Sequence, residues 1–212
     1  MVFNSLEFLI FLPIVVILHY LIPVKYRWIM LLVASYYFYM SWDAKLIVLI
    51  LFTTAISYAT AILVKRTQSV KMKRLWLVIA LVASLGVLFF FKYFNFLSGS
   101  VTGLLSAFGL PCGEFTLKLI LPVGISFYTF QTLSYVIDVY RGDIEPEYHF
   151  GYYALFVSFF PQLVAGPIER PGNLLPQLKA EHKFDKNCFI DGFGIALVAI
   201  DGSVRRSPLY AL

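Results

Sequence analysis

Between Leu46 and Val64 the chain carries no charged side chain. The next ten residues, Lys65-Arg66-Thr67-Gln68-Ser69-Val70-Lys71-Met72-Lys73-Arg74, hold only positive charge. An uncharged apolar run of about 20 residues is long enough, as a helix, to cross the roughly 30 Å hydrocarbon core of a bilayer. Inside that core every backbone N–H and C=O must be paired within the protein, which leaves helices and closed barrels as the spanning structures. A run this long and this continuous reads as a helix. The composition agrees: 60% of the 212 residues are apolar, 14% are charged, and the mean hydropathy is +0.80. Soluble domains run near half apolar and a quarter charged. A disordered chain, a collagen-like chain and an ordinary soluble globule are excluded. The expected fold class is all-α, a polytopic integral membrane protein. The length suits one domain of several membrane helices rather than two lobes.

Three further spans flank this one. Phe8 to Ile22 is a short first span, interrupted by Pro13 and His19 and stopped by Pro23. Trp28 to Met40 is the second. Tyr36, Tyr37, Tyr39 and Trp42 at its far end read as an interfacial aromatic belt. The fourth runs from Leu75 to Phe91. Lys25 and Arg27 lie between the first two spans, Asp43 and Lys45 cancel in the next loop, and the basic decapeptide follows the third. The positive-inside rule then sets the first and third loops in the cytoplasm, with the N-terminus and second loop outside. The residues before Phe8 include no basic side chain and no cleavage site follows, so the first span is expected to be retained.

Beyond Phe91 the pattern loosens into a Ser/Gly-rich stretch, with Val101 to Leu110 as a short interfacial helix. Leu119 to Tyr140 is long enough to span. Tyr152 to Val164 is apolar but short, Glu169 to Lys186 reads as polar loop, and Phe189 to Ile200 is a weak apolar piece. No internal repeat is visible. The net charge of +5 serves orientation, and no nucleic-acid partner is expected, because no basic run is interleaved with stacking aromatics. Cys112 and Cys188 form no CxxC pair and read as two unremarkable thiols. No nucleophile elbow, P-loop or metal-spaced His/Cys set is present.

Two segments carry chemical information. Read as a helix, Leu121 to Gly142 places Tyr128, Gln131, Ser134, Tyr135, Asp138 and Arg141 along one side. A carboxylate inside a membrane span costs about 2.5–3.5 kcal/mol on insertion scales, so it should face protein or water. Asp138 and Arg141 are spaced i, i+3 and could pair. The stripe is explained equally by a hydrated cavity and by helix packing with an ion pair near the membrane surface. In the second segment, Phe159 to Pro171, Pro161, Gly166 and Pro167 break the backbone in an apolar setting, and such breaks are tolerated at membrane depth only inside protein or against a wet cavity. Gln162, Glu169 and Arg170 are its polar groups, although a span end followed by a surface loop accounts for it as simply.

Taken together, Leu121 to Gly142 and Phe160-Pro161-Gln162-Leu163-Val164-Ala165-Gly166-Pro167-Ile168-Glu169-Arg170 resemble the membrane-bound O-acyltransferase family, most closely its bacterial alginate-acetylation branch. Met1-Val2-Phe3-Asn4-Ser5-Leu6-Glu7-Phe8-Leu9 and Tyr36-Tyr37-Phe38-Tyr39 are similar to the same branch. The resemblance covers roughly residues 1–193 and implies a ring of helices around a funnel, with short re-entrant helices at its centre. It implies no bound cofactor. An acyl group, acetyl above all, would pass from a cytoplasmic thioester donor such as acetyl-CoA toward a hydroxyl outside. It further implies a multi-pass protein of the bacterial inner membrane, in contact with the lipid bilayer, periplasmic acetylation proteins and a polysaccharide acceptor. D-alanyl transfer to teichoic acid is the neighbouring activity within the family. A transporter or a non-catalytic scaffold is the alternative outside it.

The resemblance has gaps. The family's catalytic residue is a histidine in a later apolar segment, a general base suited to neutral pH. His19, His149 and His182 do not match that context, so no catalytic residue is assigned. Residues 194–212 do not resemble the family and are expected to be an atypical tail. The expectation is a truncated or frame-shifted N-terminal portion of an acyltransferase, inactive by itself.

Overall fold

The computed structural model describes residues 6–42, 44–107, 124–163 and 169–180. Among these residues every regular element is a helix: α1 (Leu6–Leu21), α2 (Val24–Met40), a 3₁₀ turn (Ala44–Leu46), α3 (Ile47–Arg66), α4 (Val70–Ala107), α5 (Ile125–Arg141), α6 (Phe150–Ser158), α7 (Phe160–Leu163) and α8 (Pro171–Lys179). The protein is an all-α membrane protein. Ile47–Arg66 and Val70–Phe94 are long and apolar enough to cross a bilayer.

The described residues group into two units, one holding α1 and α2 through Leu31, the other Leu32–Lys179. In the first unit α1 runs through Pro13 and carries a surface of exposed aliphatics, with Ile10, Ile17 and Leu21 more than half exposed. At the α1–α2 corner the Arg27 side chain donates to the carbonyl of Ile22 (3.2 Å), and its guanidinium stacks over the Tyr20 ring. The exposed aliphatic surface suits a lipid solvent.

The second unit is built on α3. Thr53, Thr54, Ser57, Thr60 and Ala61 line its buried side. Their small volume allows neighbouring backbones to approach, the usual interface of helices packed in lipid. The hydroxyls do not go unpaired: Thr53 donates to the carbonyl of Leu49 (3.0 Å), Thr54 to Ile50 (2.5 Å) and Ser57 to Thr53 (2.7 Å). Helices α4, α5 and α6 pack against this side.

Glycine sets both ends of α5. Gly124 precedes the helix at φ +74°, and Gly142 follows it at φ +84°. At the C-terminal end the amides of Gly142 and Asp143 donate to the carbonyls of Val139 and Asp138, the paired bonds of a Schellman motif. At Gly124 a β-carbon would lie 3.1 Å from the Leu163 carbonyl oxygen, so a side chain here would crowd α7 where it sits against the start of α5, besides straining the positive φ.

Several sequence expectations are revised. No break follows Phe91: α4 continues to Ala107, because the stretch contains no proline and each glycine costs a helix only about 1 kcal/mol. Helix α8 replaces the expected polar loop after Glu169. Pro171 opens it, where its missing N–H is harmless, and Leu174 and Leu175 bury its inner side. The aromatic cluster of α2 is divided: Tyr37 and Trp42 are exposed, whereas Phe38 and Tyr39 are buried. Cys112, Cys188, the weak apolar piece from Phe189 to Ile200 and the boundary at residue 194 lie outside the described residues.

Candidate functional site

The chain breaks at Phe159, between α6 and α7. Pro161 cannot continue α6, since it lacks an N–H and its ring collides with the carbonyl one turn back. A straight helix would bond the Phe160 amide to the Phe156 carbonyl. Here both groups are buried and find side chains instead. The Phe160 amide donates to Ser35 Oγ of α2 (3.3 Å). The Phe156 carbonyl accepts from Gln131 Nε2 of α5 (3.0 Å). The same Nε2 lies 3.4 Å from Gln162 Oε1 of α7. Two side chains on two different helices thus replace the backbone bond that the break removes, as apolar surroundings require.

Around this repair lie further buried polar groups. Tyr128, one turn before Gln131, is fully buried, and its hydroxyl neighbours that of Tyr39 from α2. The two hydroxyls stand close enough to be each other's hydrogen-bond partner, whereas Gln131 Oε1 meets none among the described residues. The Phe38 and Phe160 rings pack 5.6 Å apart beside them.

A second polar layer lies toward the other end of α5. Tyr153 of α6 donates to Ser57 Oγ of α3 (2.7 Å), and its ring stacks 4.5 Å from that of Tyr135. The Tyr135 oxygen accepts from the Glu147 amide (2.8 Å). The Glu147 carboxylate, 8% exposed, accepts from the His149 amide (2.9 Å) and forms an ion pair with Lys179 of α8. Lys179 also stands over the Tyr152 ring. Tyr58 of α3 donates to the Tyr148 carbonyl (2.5 Å), and Lys65 pairs with Glu145 (2.5 Å). These contacts fix the C-terminal end of α5 beside the basic end of α3, while Tyr39 and Tyr128 join the start of α5 to the end of α2.

The structure sorts the residues singled out in the sequence. Tyr128, Gln131, Tyr135 and Gln162 are buried in unit two, and Gln131 and Gln162 meet. Ser134 is half-buried and donates to the Gln131 carbonyl (2.9 Å). Asp138 is half-buried and Arg141 exposed. The ion pairs among the described residues are Lys65–Glu145 and Lys179–Glu147, so the i, i+3 spacing of Asp138 and Arg141 does not produce one. Glu169 and Arg170 belong to the entry of α8, where the Arg170 carbonyl accepts from the amides of Asn173 and Leu174. Of the histidines, His149 caps α6 by accepting from the Tyr152 amide at Nδ1 (3.4 Å), His19 lies on α1, and His182 is outside the described residues.

Sequence patterning missed Ser35, Tyr39, Ser57, Tyr153 and Glu147. The signal for Ser35 and Ser57 is slight, since single hydroxyls inside apolar helices pass as packing residues. Glu147 belongs to the short acidic segment Asp143–Glu147, which reads as surface. Among the described residues, no three His, Cys, Asp or Glu side chains gather as metal ligands.

Comparison with known proteins adds a separate finding. The chain is 38% identical over 204 residues to the Pseudomonas aeruginosa protein named "Probable alginate O-acetylase AlgI", covering 91% of this chain and 38% of that protein. The protein of the same name from Azotobacter vinelandii is 39% identical, with 91% of this chain and 40% of the relative covered. The peptidoglycan O-acetyltransferase of Helicobacter pylori is 36% identical over 183 residues, 74% of this chain and 32% of its own. The chain therefore spans about two fifths or less of the length of these curated relatives. No protein-family profile matches the chain, and no solved structure matches it significantly.

Proposed function

We propose that this chain, a relative of the AlgI-type O-acetylases, forms part of a membrane-bound O-acyltransferase that moves acetyl from a cytoplasmic thioester donor such as acetyl-CoA toward a hydroxyl of an extracytoplasmic polysaccharide. The observation that carries this reading is the buried amide and tyrosine layer around the α6–α7 break, set inside an apolar helical chain whose curated relatives bear O-acetyltransferase names. Acyl transfer across a bilayer needs polar groups held away from lipid, and a polar layer joined to broken backbone provides them. Alginate is the acceptor favoured by the AlgI relatives. The Helicobacter relative widens the class to cell-envelope polysaccharide in general.

The sidedness of the reading comes from charge. Lys65 and Arg66 at the end of α3 and Lys71, Lys73 and Arg74 at the start of α4 favour a cytoplasmic position for that end by the positive-inside rule, together with Glu147 and α8. The Tyr39–Tyr128 end then faces outward, toward the acceptor. The location is the bacterial inner membrane, crossed several times, with periplasmic acetylation proteins as partners. No bound cofactor enters, since the thioester donor is a substrate. The general base is assigned to none of His19, His149 and His182. D-alanyl transfer is the neighbouring reading, and the acetyl group is preferred because all three relatives described above are named for acetylation.

The test is chemical. Envelope polysaccharide purified from cells with and without the intact gene is treated with mild base, and released acetate and D-alanine are quantified. The expected result is loss of ester-linked acetate alone on deletion. Unchanged acetate contradicts O-acetylation, and loss of D-alanine instead identifies the neighbouring reaction.

A further inference from the structure

From Ala44 to Gly113 the sequence contains no aspartate or glutamate, so every charged side chain on α3 and α4 is positive. A short connection, Thr67 to Ser69, brings Lys65 and Arg66 at the end of α3 next to Lys71, Lys73 and Arg74 at the start of α4. Lys65 is matched by Glu145. Among the described residues the other four cations form no ion pair. They repel one another, and Lys71 and Lys73 also lie at the positive end of the α4 macrodipole. An anion from outside the chain would relieve both.

Orientation in a bilayer depends on how many basic residues a loop carries, not on which side of a helix they occupy. Here their placement is specific. The exposed side of α3 runs through Val48, Phe52 and Ala59. Arg66 is 18 positions beyond Val48, about five helical turns, and so stands in line with it. On α4, exposed Val78, Val82 and Phe89 recur at helical spacing. Stepping back along the same side by four and then three residues gives Arg74 and Lys71, both exposed. Val48 and Val82 are 64% and 66% exposed, so both rows are open to acyl chains, and each ends in a cation.

We propose that Arg66, Lys71 and Arg74 form a binding surface for an anionic phospholipid, its phosphate and headgroup at the cations and its acyl chains along the aliphatic rows beside them. A soluble polyanion would engage the cations and leave the adjoining aliphatics uncovered, whereas a phospholipid presents charge and hydrocarbon in that order. Val70, Met72 and Leu75, exposed among the cations, suit the boundary between headgroup and hydrocarbon. Basic side chains beside a membrane helix favour anionic lipid by about fivefold each. This inference is independent of acetyl transfer, since it uses only the charge and exposure of α3 and α4.

The experiment purifies the full chain in neutral detergent micelles doped with equimolar dioleoyl phosphatidylglycerol and dioleoyl phosphatidylcholine, which share their acyl chains. Lipid that stays with the protein is counted by native mass spectrometry. Wild type is expected to retain phosphatidylglycerol over phosphatidylcholine by at least about fivefold. Arg74→Gln alone lowers that ratio, and Arg66→Gln, Lys71→Gln and Arg74→Gln together bring it near one. These side chains are exposed, so the variants are expected to keep the wild-type unfolding temperature. Lys92→Gln, an exposed cation at the far end of the same α4 row, leaves the ratio unchanged. A wild-type ratio near one, an undiminished ratio in the triple variant, or an equal loss from Lys92→Gln overturns the proposal. So does displacement of the retained lipid by sodium phosphate but not by sodium chloride of the same ionic strength, which would identify a phosphate site instead.

Discussion

The two polar layers of the second unit use the same residue types to different ends. In the Tyr153 layer the chain supplies a partner for each principal group: Tyr153 reaches Ser57, Tyr135 receives the Glu147 amide, and Glu147 is met by Lys179 and the His149 amide. Around Gln131 the polar side chains first repair a broken helix, through Phe156 and Phe160, and the Gln131 amide oxygen is then left unmatched. A fully satisfied network rigidifies and positions, whereas a partly satisfied one is expensive. The difference teaches that the first layer is scaffold, joining α3, α5, α6 and α8, and that the second is where function is to be sought.

Four substitutions sharpen or break this contrast. The largest effect is expected for Gln131→Leu, which strands the buried Phe156 carbonyl. A loss of about 2–3 kcal/mol, with transfer reduced to background, is expected from unfolding in micelles and acetate release. A stable variant would show that the carbonyl needs no side-chain partner. Gly124→Ala comes next, at about 1–3 kcal/mol for strain, because the residue sits at φ +74° and the new β-carbon meets the Leu163 carbonyl. Retained stability would contradict the close approach of α7. Tyr153→Phe removes one bond from the satisfied layer, for about 1 kcal/mol, with transfer retained once expression is matched. Lys65→Ala breaks an exposed ion pair and should change stability by under about 0.5 kcal/mol. A larger loss would mean that the Glu145 segment depends on it.

Much of this arrangement is legible in the sequence because a 3.6-residue repeat is a strong signal. It places Tyr128, Gln131 and Tyr135 on a common side of α5, and all three are buried. The same stripe overreaches at Ser134, Asp138 and Arg141. Successive three-residue steps fall about 60° short of a full turn, so those positions rotate away from the buried side, whose centre runs through Thr132 and Val139. The Phe160–Leu163 string announces a break, but nothing local tells which side chains repair it. Ser35 is 125 positions from Phe160, a pairing that only the folded chain reveals. Helix α8 is obscured by Pro171 and Pro176, which look like breakers although the first is a favourable helix opener. Leu174, Leu175 and Leu178 supply the amphipathic signal that outweighs them.

The most direct test of the contrast compares Gln131→Leu and Tyr153→Phe in the intact gene, at matched membrane levels, by ester-linked acetate on the exported polysaccharide. Acetate near background for Gln131→Leu and near wild type for Tyr153→Phe is the predicted result. Equal acetate in the two strains, whether high or low, would contradict the assignment of function to the layer around the broken helix.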